Sequence, residues 1–159
     1  MKPVFWLLLA AVSLLVSAQL RADAHKQSVG ATETVFIEEA NLAFVGRVDT
    51  GAKTSSIHAE NIEVDASGDP RGKRISFDLV TAQGSSARVE TRVVSVVRVK
   101  TAEHSEHRYV VALRLKWRDT AKTVLVTLND RGRMQYRLLL GRNWLRGDFV
   151  VDVDKNNSD

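Results

Sequence analysis

The chain contains no cysteine and only two prolines among its 159 residues. Without cysteine it can form no disulfide, no thiolate metal site and no thiol nucleophile, so its stability must come from a packed core or from association. The same absence excludes a lipid anchor on an N-terminal cysteine. Aromatic residues are few, at 6%, and lysine and arginine are spread through the chain rather than clustered. Nucleic-acid recognition needs a concentrated basic face, so the net charge of +4 reads as solvated strand faces, and no nucleic-acid partner is expected.

Long apolar runs are also missing, except at the start. "MKPVFWLLLAAVSLLVSAQLRADA" has Lys2, an almost unbroken apolar run from Val4 to Val16, and then small residues. That is the layout of a secretory signal peptide, and the run is shorter than the ~20 residues that span a bilayer. Small-x-small cleavage points follow Ala18 and Ala24. The expectation is a cleaved signal over residues 1–24 and a periplasmic or otherwise exported protein, with an uncleaved membrane anchor as the alternative. Loss of Lys2, Arg21 and Asp23 would take the net charge from +4 to +3. About 135 residues remain, enough for one domain with a real core.

What is present is β pattern almost throughout. "RISFDLVTA" alternates Ile75, Phe77 and Leu79 with polar residues, the period of a half-buried strand. Val111, Leu113 and Leu115 alternate with Ala112, Arg114 and Lys116 in the same way. "AQGSS" (Ala82 to Ser86) is a hairpin signal, and only "RNWLRG" (Arg142 to Gly147) looks helical. Short strands at close spacing with little helix indicate an all-β barrel or sandwich. The reading is a flexible lead-in over 25–34, one domain over 35–154 and a disordered tail over 155–159.

Two stretches carry chemistry. "FVGRVDTGAKTSSIHAE" places Asp49, Thr50 and Gly51 directly after an apolar run, and "RLLLGRNWL" ends an apolar run in Gly141. Asp-Thr-Gly alone also suits an ordinary turn. In this order, however, apolar-Asp-Thr-Gly-Ala and Leu-Leu-Gly-Arg-Asn resemble the signature segments of retropepsin-like aspartic proteases. More closely, "VGRVDTGAKTSSIHA", "VTLNDRGRMQYRLLLGRNWL" and "FVVDV" are similar to the bacterial family known as ATP-dependent zinc proteases. That retropepsin-like group is sometimes found beside ATP-grasp ligases. The similarity runs from about Val35 to Val153.

The resemblance implies a closed retropepsin-like β-barrel, the acid protease fold, with one short helix after Leu-Leu-Gly. It makes Asp49 the catalytic carboxylate. With one Asp-Thr-Gly per chain, the second carboxylate must come from a second copy, so a homodimer is expected. Thr50 would brace the dyad across the two-fold axis, and Gly51 would let the loop turn. Ala52 follows where a serine would offer a hydroxyl. Leu140 and Gly141 would pass behind the loop, with Gly141 permitting close backbone approach. In retroviral enzymes the arginine after that glycine pairs with an acid four residues past the catalytic Asp. That position is Lys53 here, so Arg142 is expected to pair with Glu60 or Asp148. The strands "DFVVDV" and the segment around Val35 would form the dimer interface. The hairpins around Ala82–Ser86 and Ala102–Glu106 are both candidates for a substrate-covering flap.

The ATP and zinc of the family's name find no counterpart motif. The chain has no glycine-rich loop followed by Lys and Ser/Thr, and no His-Glu-x-x-His. Its histidines are His25, His58, His104 and His107; the last two flank a predicted turn. His58 shares a strand face with Glu60, which points to structural hydrogen bonding. No metal and no cofactor is therefore expected. The functional expectation is an exported aspartic endopeptidase acting on protein or peptide. The alternatives are a catalytically inactive binding or adaptor module for other cell-envelope proteins, and a metal-dependent hydrolase.

Overall fold

The computed structural model describes residues 26–65, 68–100 and 105–155; the expected signal segment, His25, His104 and residues 156–159 lie outside it. In chain order the strands are β1 (Gln27–Val29), β2 (Thr32–Ile37), β3 (Leu42–Val48), β4 (Ser55–Val64), β5 (Arg74–Val80) and β6 (Ser86–Arg92). They continue with β7 (Ser95–Lys100), β8 (Ser105–Trp117), β9 (Thr120–Asn129), β10 (Leu138–Leu140) and β11 (Phe149–Val151). A single α-helical turn, α1 (Arg142–Leu145), follows β10 directly. No helix among the described residues is long and apolar enough to cross a membrane.

Six strands close into a barrel in the order β10-β3-β2-β8-β9-β4, with β4 returning to β10. Closure removes the free edges that an open sheet of this size would present. Alternation supplies the core: Val111, Leu113 and Leu115 of β8 are fully buried, as are Val35 and Ile37 of β2 and Ile57 of β4. Burying each such side chain is worth about 1.5–3 kcal/mol. Chain reversal between β2 and β3 uses a 3-10 turn, Glu38–Ala40, ended by Asn41 in the left-handed region at φ 53°.

β4 has two halves with different jobs. Ser55–His58 pair in parallel with β9 inside the barrel, whereas Ala59–Val64 pair with β5 in an arm completed by β6. The register shifts between Glu60 and Glu63, with Asn61 at φ 48°, and the strand bends out there. β8 is also divided. Its residues from Val110 onward pair with β9, while Ser105–Val110 pair with β7 and carry that hairpin beyond the barrel.

The segment 25–34, expected as a lead-in, is instead part of the fold from residue 27. β1 pairs in parallel with β11, register Gln27 to Phe149, and Val29 is fully buried. Glu33 is buried because its carboxylate is satisfied: Oε1 accepts the Gly30 N–H at 2.7 Å and Oε2 accepts the Trp117 indole N–H at 2.7 Å. Phe149 stacks on Trp144 (centroids 4.2 Å) and meets Trp117 edge-on (5.4 Å), fixing the β1–β11 ribbon to the barrel. Val35, expected at an interface, lies inside the barrel instead, fully buried and paired with Phe44 of β3.

Candidate active site

Asp49 leaves the end of β3 on a loop whose geometry is set mostly by its own carboxylate. Oδ1 accepts the Gly51 N–H at 2.9 Å and the Ala52 N–H at 3.1 Å. This is the local turn chemistry that Asp favours, and it leaves Oδ2 without a hydrogen-bond donor among the described residues. Thr50 and Gly51 form the exposed apex of the loop.

β10 holds this loop from behind. It lies between β3 and β4, parallel to the first and antiparallel to the second, so the strands entering and leaving the loop are both bonded to it. The Leu140 carbonyl accepts the Asp49 N–H at 2.9 Å, and the Ala52 carbonyl accepts the Arg142 N–H at 2.9 Å. Gly141 sits between these bonds. A Cβ there would lie 2.7 Å from the Thr54 carbonyl carbon and 3.0 Å from the Ser55 nitrogen. Its φ of −86° suits any residue, so the requirement for glycine is steric contact with backbone.

Arg142 differs from the expectation. Neither Glu60 nor Asp148 pairs with it; its Nη1 donates to the Thr50 carbonyl at 2.9 Å and the Gly51 carbonyl at 2.7 Å. Asp148 is taken by Lys122, and Glu60 by His58. The guanidinium therefore caps the loop through two backbone carbonyls, which explains why Lys53 can stand where retroviral enzymes have an acid.

Ser55 and Asn143 complete the support, and neither was singled out by the sequence. Asn143 Oδ1 accepts both the Ser55 N–H (2.9 Å) and the Ser55 hydroxyl (2.8 Å), and its Nδ2 donates to the Leu125 carbonyl (2.7 Å). Ser55 Oγ in turn accepts the Gly141 N–H at 3.0 Å. Asn143→Ala strands the buried Ser55 amide, at a cost of about 1–3 kcal/mol, and lowers the melting midpoint by roughly 5–10 °C. Calorimetric melting of the purified variant checks this.

His58 is 1% exposed and fully engaged. Nδ1 accepts the Arg131 N–H at 2.9 Å, and Nε2 lies 2.9 Å from Glu60 Oε1. With both ring nitrogens committed, the imidazole has no lone pair to offer zinc, so these residues do not fit the metal in the resembling family's name. His107 lies on β8, and no group of three histidine, aspartate or glutamate side chains among the described residues is placed to hold a metal ion.

Arginines converge on the site from elements remote in sequence. Arg131, on the loop between β9 and β10, is buried and donates from Nε to the Tyr136 carbonyl. Burial pushes its guanidinium down from the ordinary value and the Arg108 charge pushes the same way, while the Asp49 carboxylate holds it up. Arg108 belongs to the projecting half of β8 and is paired with Glu106 at 2.8 Å. Arg108 thus stands on the β7–β8 hairpin, whose residues 101–104 lie outside the described ones. The Ala82–Ser86 hairpin packs elsewhere, where its tip, Phe44, Val45 and Gln135–Arg137 enclose a cavity of about 220 Å³.

A six-stranded barrel with an Asp-Thr-Gly loop, backed by an apolar-Gly strand paired to both its flanks, defines the retropepsin-like class. The chain belongs to the RimB-like family, described as retropepsin-like aspartic endopeptidase RimB, whose profile matches residues 28–159. A Shewanella pealeana protein named "Probable alpha-L-glutamate ligase" is 40% identical over 119 residues, covering 72% of this chain and 25% of that protein. A Desulfotalea psychrophila protein of the same name is 32% identical over 136 residues, covering 82% of this chain and 29% of its own length. The chain thus spans about a quarter of the curated relatives it matches. A Legionella pneumophila crystal structure, the protein Lpg0085 of unknown function (DUF785), superposes with a TM-score of 0.69 at 30% identity. That match covers 85% of this chain and 98% of the Legionella one.

Proposed function

We propose that the protein is an exported aspartic endopeptidase whose dyad forms from Asp49 of two copies and whose substrates are glutamate-rich peptides. The observation that carries the chemistry is the Asp49 loop. Its Oδ1 accepts two backbone N–H groups, Oδ2 accepts no hydrogen bond among the described residues, and the apex beside it is exposed. One carboxylate cannot both accept and donate a proton in the same step. Two of them across a two-fold axis share one proton, because like charges at that separation cannot both ionise. The charged member takes a proton from water as the water oxygen bonds to the scissile carbonyl carbon, and the neutral member protonates the carbonyl oxygen. Collapse of the tetrahedral diol breaks the C–N bond: the departing nitrogen takes a proton from the dyad, and one hydroxyl of the diol returns its proton to the dyad as the product carboxyl forms.

Glutamate-rich substrates are supported by the arginines and by the relatives. The Arg131 guanidinium feels the Asp49 carboxylate as well as the Arg108 charge. The Nη1 of Arg137 is buried without a hydrogen-bond partner among the described residues, beside Gly132. Arginine suits carboxylate recognition because its planar fork matches the two oxygens. In relatives named glutamate ligases this domain makes up about a quarter of the chain, which fits a hydrolase acting on the bonds such a ligase forms. The β7–β8 hairpin is then the flap, closing over the peptide.

Dimer assembly draws on β11, which among the described residues pairs with β1 alone, so that its other edge carries no described strand. Val150 (47% exposed) and Val153 (79% exposed) present apolar surface there. Antiparallel pairing of β11 with its own copy would cover that edge with a self-complementary contact. Specific activity is therefore expected to fall on dilution, in step with the dimer fraction measured by sedimentation. Full specific activity in a sample shown to be monomeric removes the shared dyad. A binding module without hydrolysis is the second reading, favoured by the single carboxylate per chain; it predicts peptide binding with no cleavage at any concentration.

A further inference from the structure

The dyad chemistry has no use for His58, yet the ring is buried beside the site and holds the arginine-bearing loop at both ends. Its backbone N–H donates to the Arg137 carbonyl at 2.8 Å, and its ring Nδ1 accepts the Arg131 N–H at 2.9 Å. These two bonds fasten the start and the finish of the 131–137 loop to one residue of β4. The rest of the loop closes on itself, with Arg131 Nε on the Tyr136 carbonyl and the Met134 N–H on the Arg131 carbonyl.

We propose that His58 is a positioning residue for substrate binding: by accepting the Arg131 N–H it sets where the Arg131 guanidinium stands relative to Asp49. An Nδ1 that accepts carries no hydrogen, so the ring's proton is on Nε2 and is donated to Glu60 Oε1 at 2.9 Å. Glu60 thereby selects the tautomer that holds the loop. The charged groups facing the ring nitrogens are Glu60 from its own strand and Asp130, whose Oδ1 is 3.7 Å from Nδ1. Asp130 is itself turned into the loop, its Oδ1 accepting the Gly132 N–H at 2.8 Å. This inference rests on the reading of the cleft as a site for glutamate-rich peptides.

The test compares two substitutions that each keep one half of the imidazole. Asn places an amide oxygen near the position of Nδ1 and so preserves the acceptor; Gln reaches the position of Nε2 and loses it. His58→Gln is expected to raise KM for a glutamate-rich peptide about tenfold with kcat nearly unchanged, the effect of one buried amide left unpaired. His58→Asn is expected to restore KM to near the wild-type value. Equal KM values for the two variants, or a fall in kcat alone, would overturn the assignment.

Gly132→Ala supplies the same test with His58 intact, should the first substitution prevent folding. Its Cβ would stand 3.0 Å from Asp130 Oδ1 and 3.1 Å from Arg137 Nη1, so these two side chains must shift, while His58 Cε1 at 3.4 Å stays in ordinary contact. A rise confined to KM supports the proposal, and unchanged kinetics counts against it. Amide exchange at Arg131, followed by NMR, needs no substrate. It should be slow in the wild type and in His58→Asn, and fast in His58→Gln. Should the wild type cleave no peptide, the hydrolase reading fails alone; the exchange rates and the affinity for the same peptide still decide the role of His58.

Discussion

Asp49→Asn is expected to abolish the proposed peptide hydrolysis, lowering kcat by at least about 10³-fold, while the fold and its melting midpoint are preserved. The separation of the two effects follows from the geometry. The Asn side-chain oxygen takes over both bonds that Asp49 Oδ1 makes, to the Gly51 and Ala52 N–H groups, so the loop keeps its shape. The second oxygen becomes an amide nitrogen, which can neither take a proton from water nor share one with its copy. Turnover of a glutamate-rich peptide, measured beside thermal melting, checks both halves. Wild-type turnover in the folded variant would mean that Asp49 is not the catalytic group.

The second large effect is structural and falls on the strand behind the loop. Gly141→Ala is expected to destabilise the protein by about 1–3 kcal/mol and to cost most of the activity as well. The added methyl would lie 2.7 Å from the Thr54 carbonyl carbon and 2.9 Å from its oxygen. Those are backbone atoms, so no rotamer change relieves the clash. Relief requires β10 and the Asp49 loop to separate, which stretches the Asp49 N–H bond to Leu140 and the Arg142 N–H bond to Ala52. Denaturant unfolding and activity of the same sample report the two consequences. Wild-type values for both would show that the loop and β10 are not in the close contact described.

The parts of the fold legible in advance are those with a local cause. Alternation with period two marked Ile75, Phe77 and Leu79 on β5 and Val111, Leu113 and Leu115 on β8, and each is fully buried. The Asp-Thr-Gly turn was legible because its carboxylate bonds its own backbone two and three residues on. Leu140 and Gly141 were legible as an apolar strand ending where no side chain fits, and the short helix followed from the residues after them.

What escaped the sequence depends on distant partners. The polar segment before residue 35 reads as a loose lead-in because nothing near it explains Glu33. The carboxylate is buried only because Trp117 and the Gly30 amide meet it there. Arg142 offered two acidic candidates by sequence and took neither, since α1 starts against the loop and the Thr50 and Gly51 carbonyls are in reach. Arg131 sits in a turn-like stretch with no mark of function, and only the path of the loop brings it near Asp49.

Sequence by itself determined that this is an all-β chain with one Asp-Thr-Gly loop and one Leu-Leu-Gly strand, because period-two burial and turn chemistry act over a few residues. The tertiary structure alone decided which groups surround that carboxylate. Pairing β10 between β3 and β4 brings Ser55, Gly141 and Asn143 into one hydrogen-bonded support, and His58 draws the Arg131 loop onto β4. These contacts join residues far apart along the chain, and they exist only once the barrel has closed.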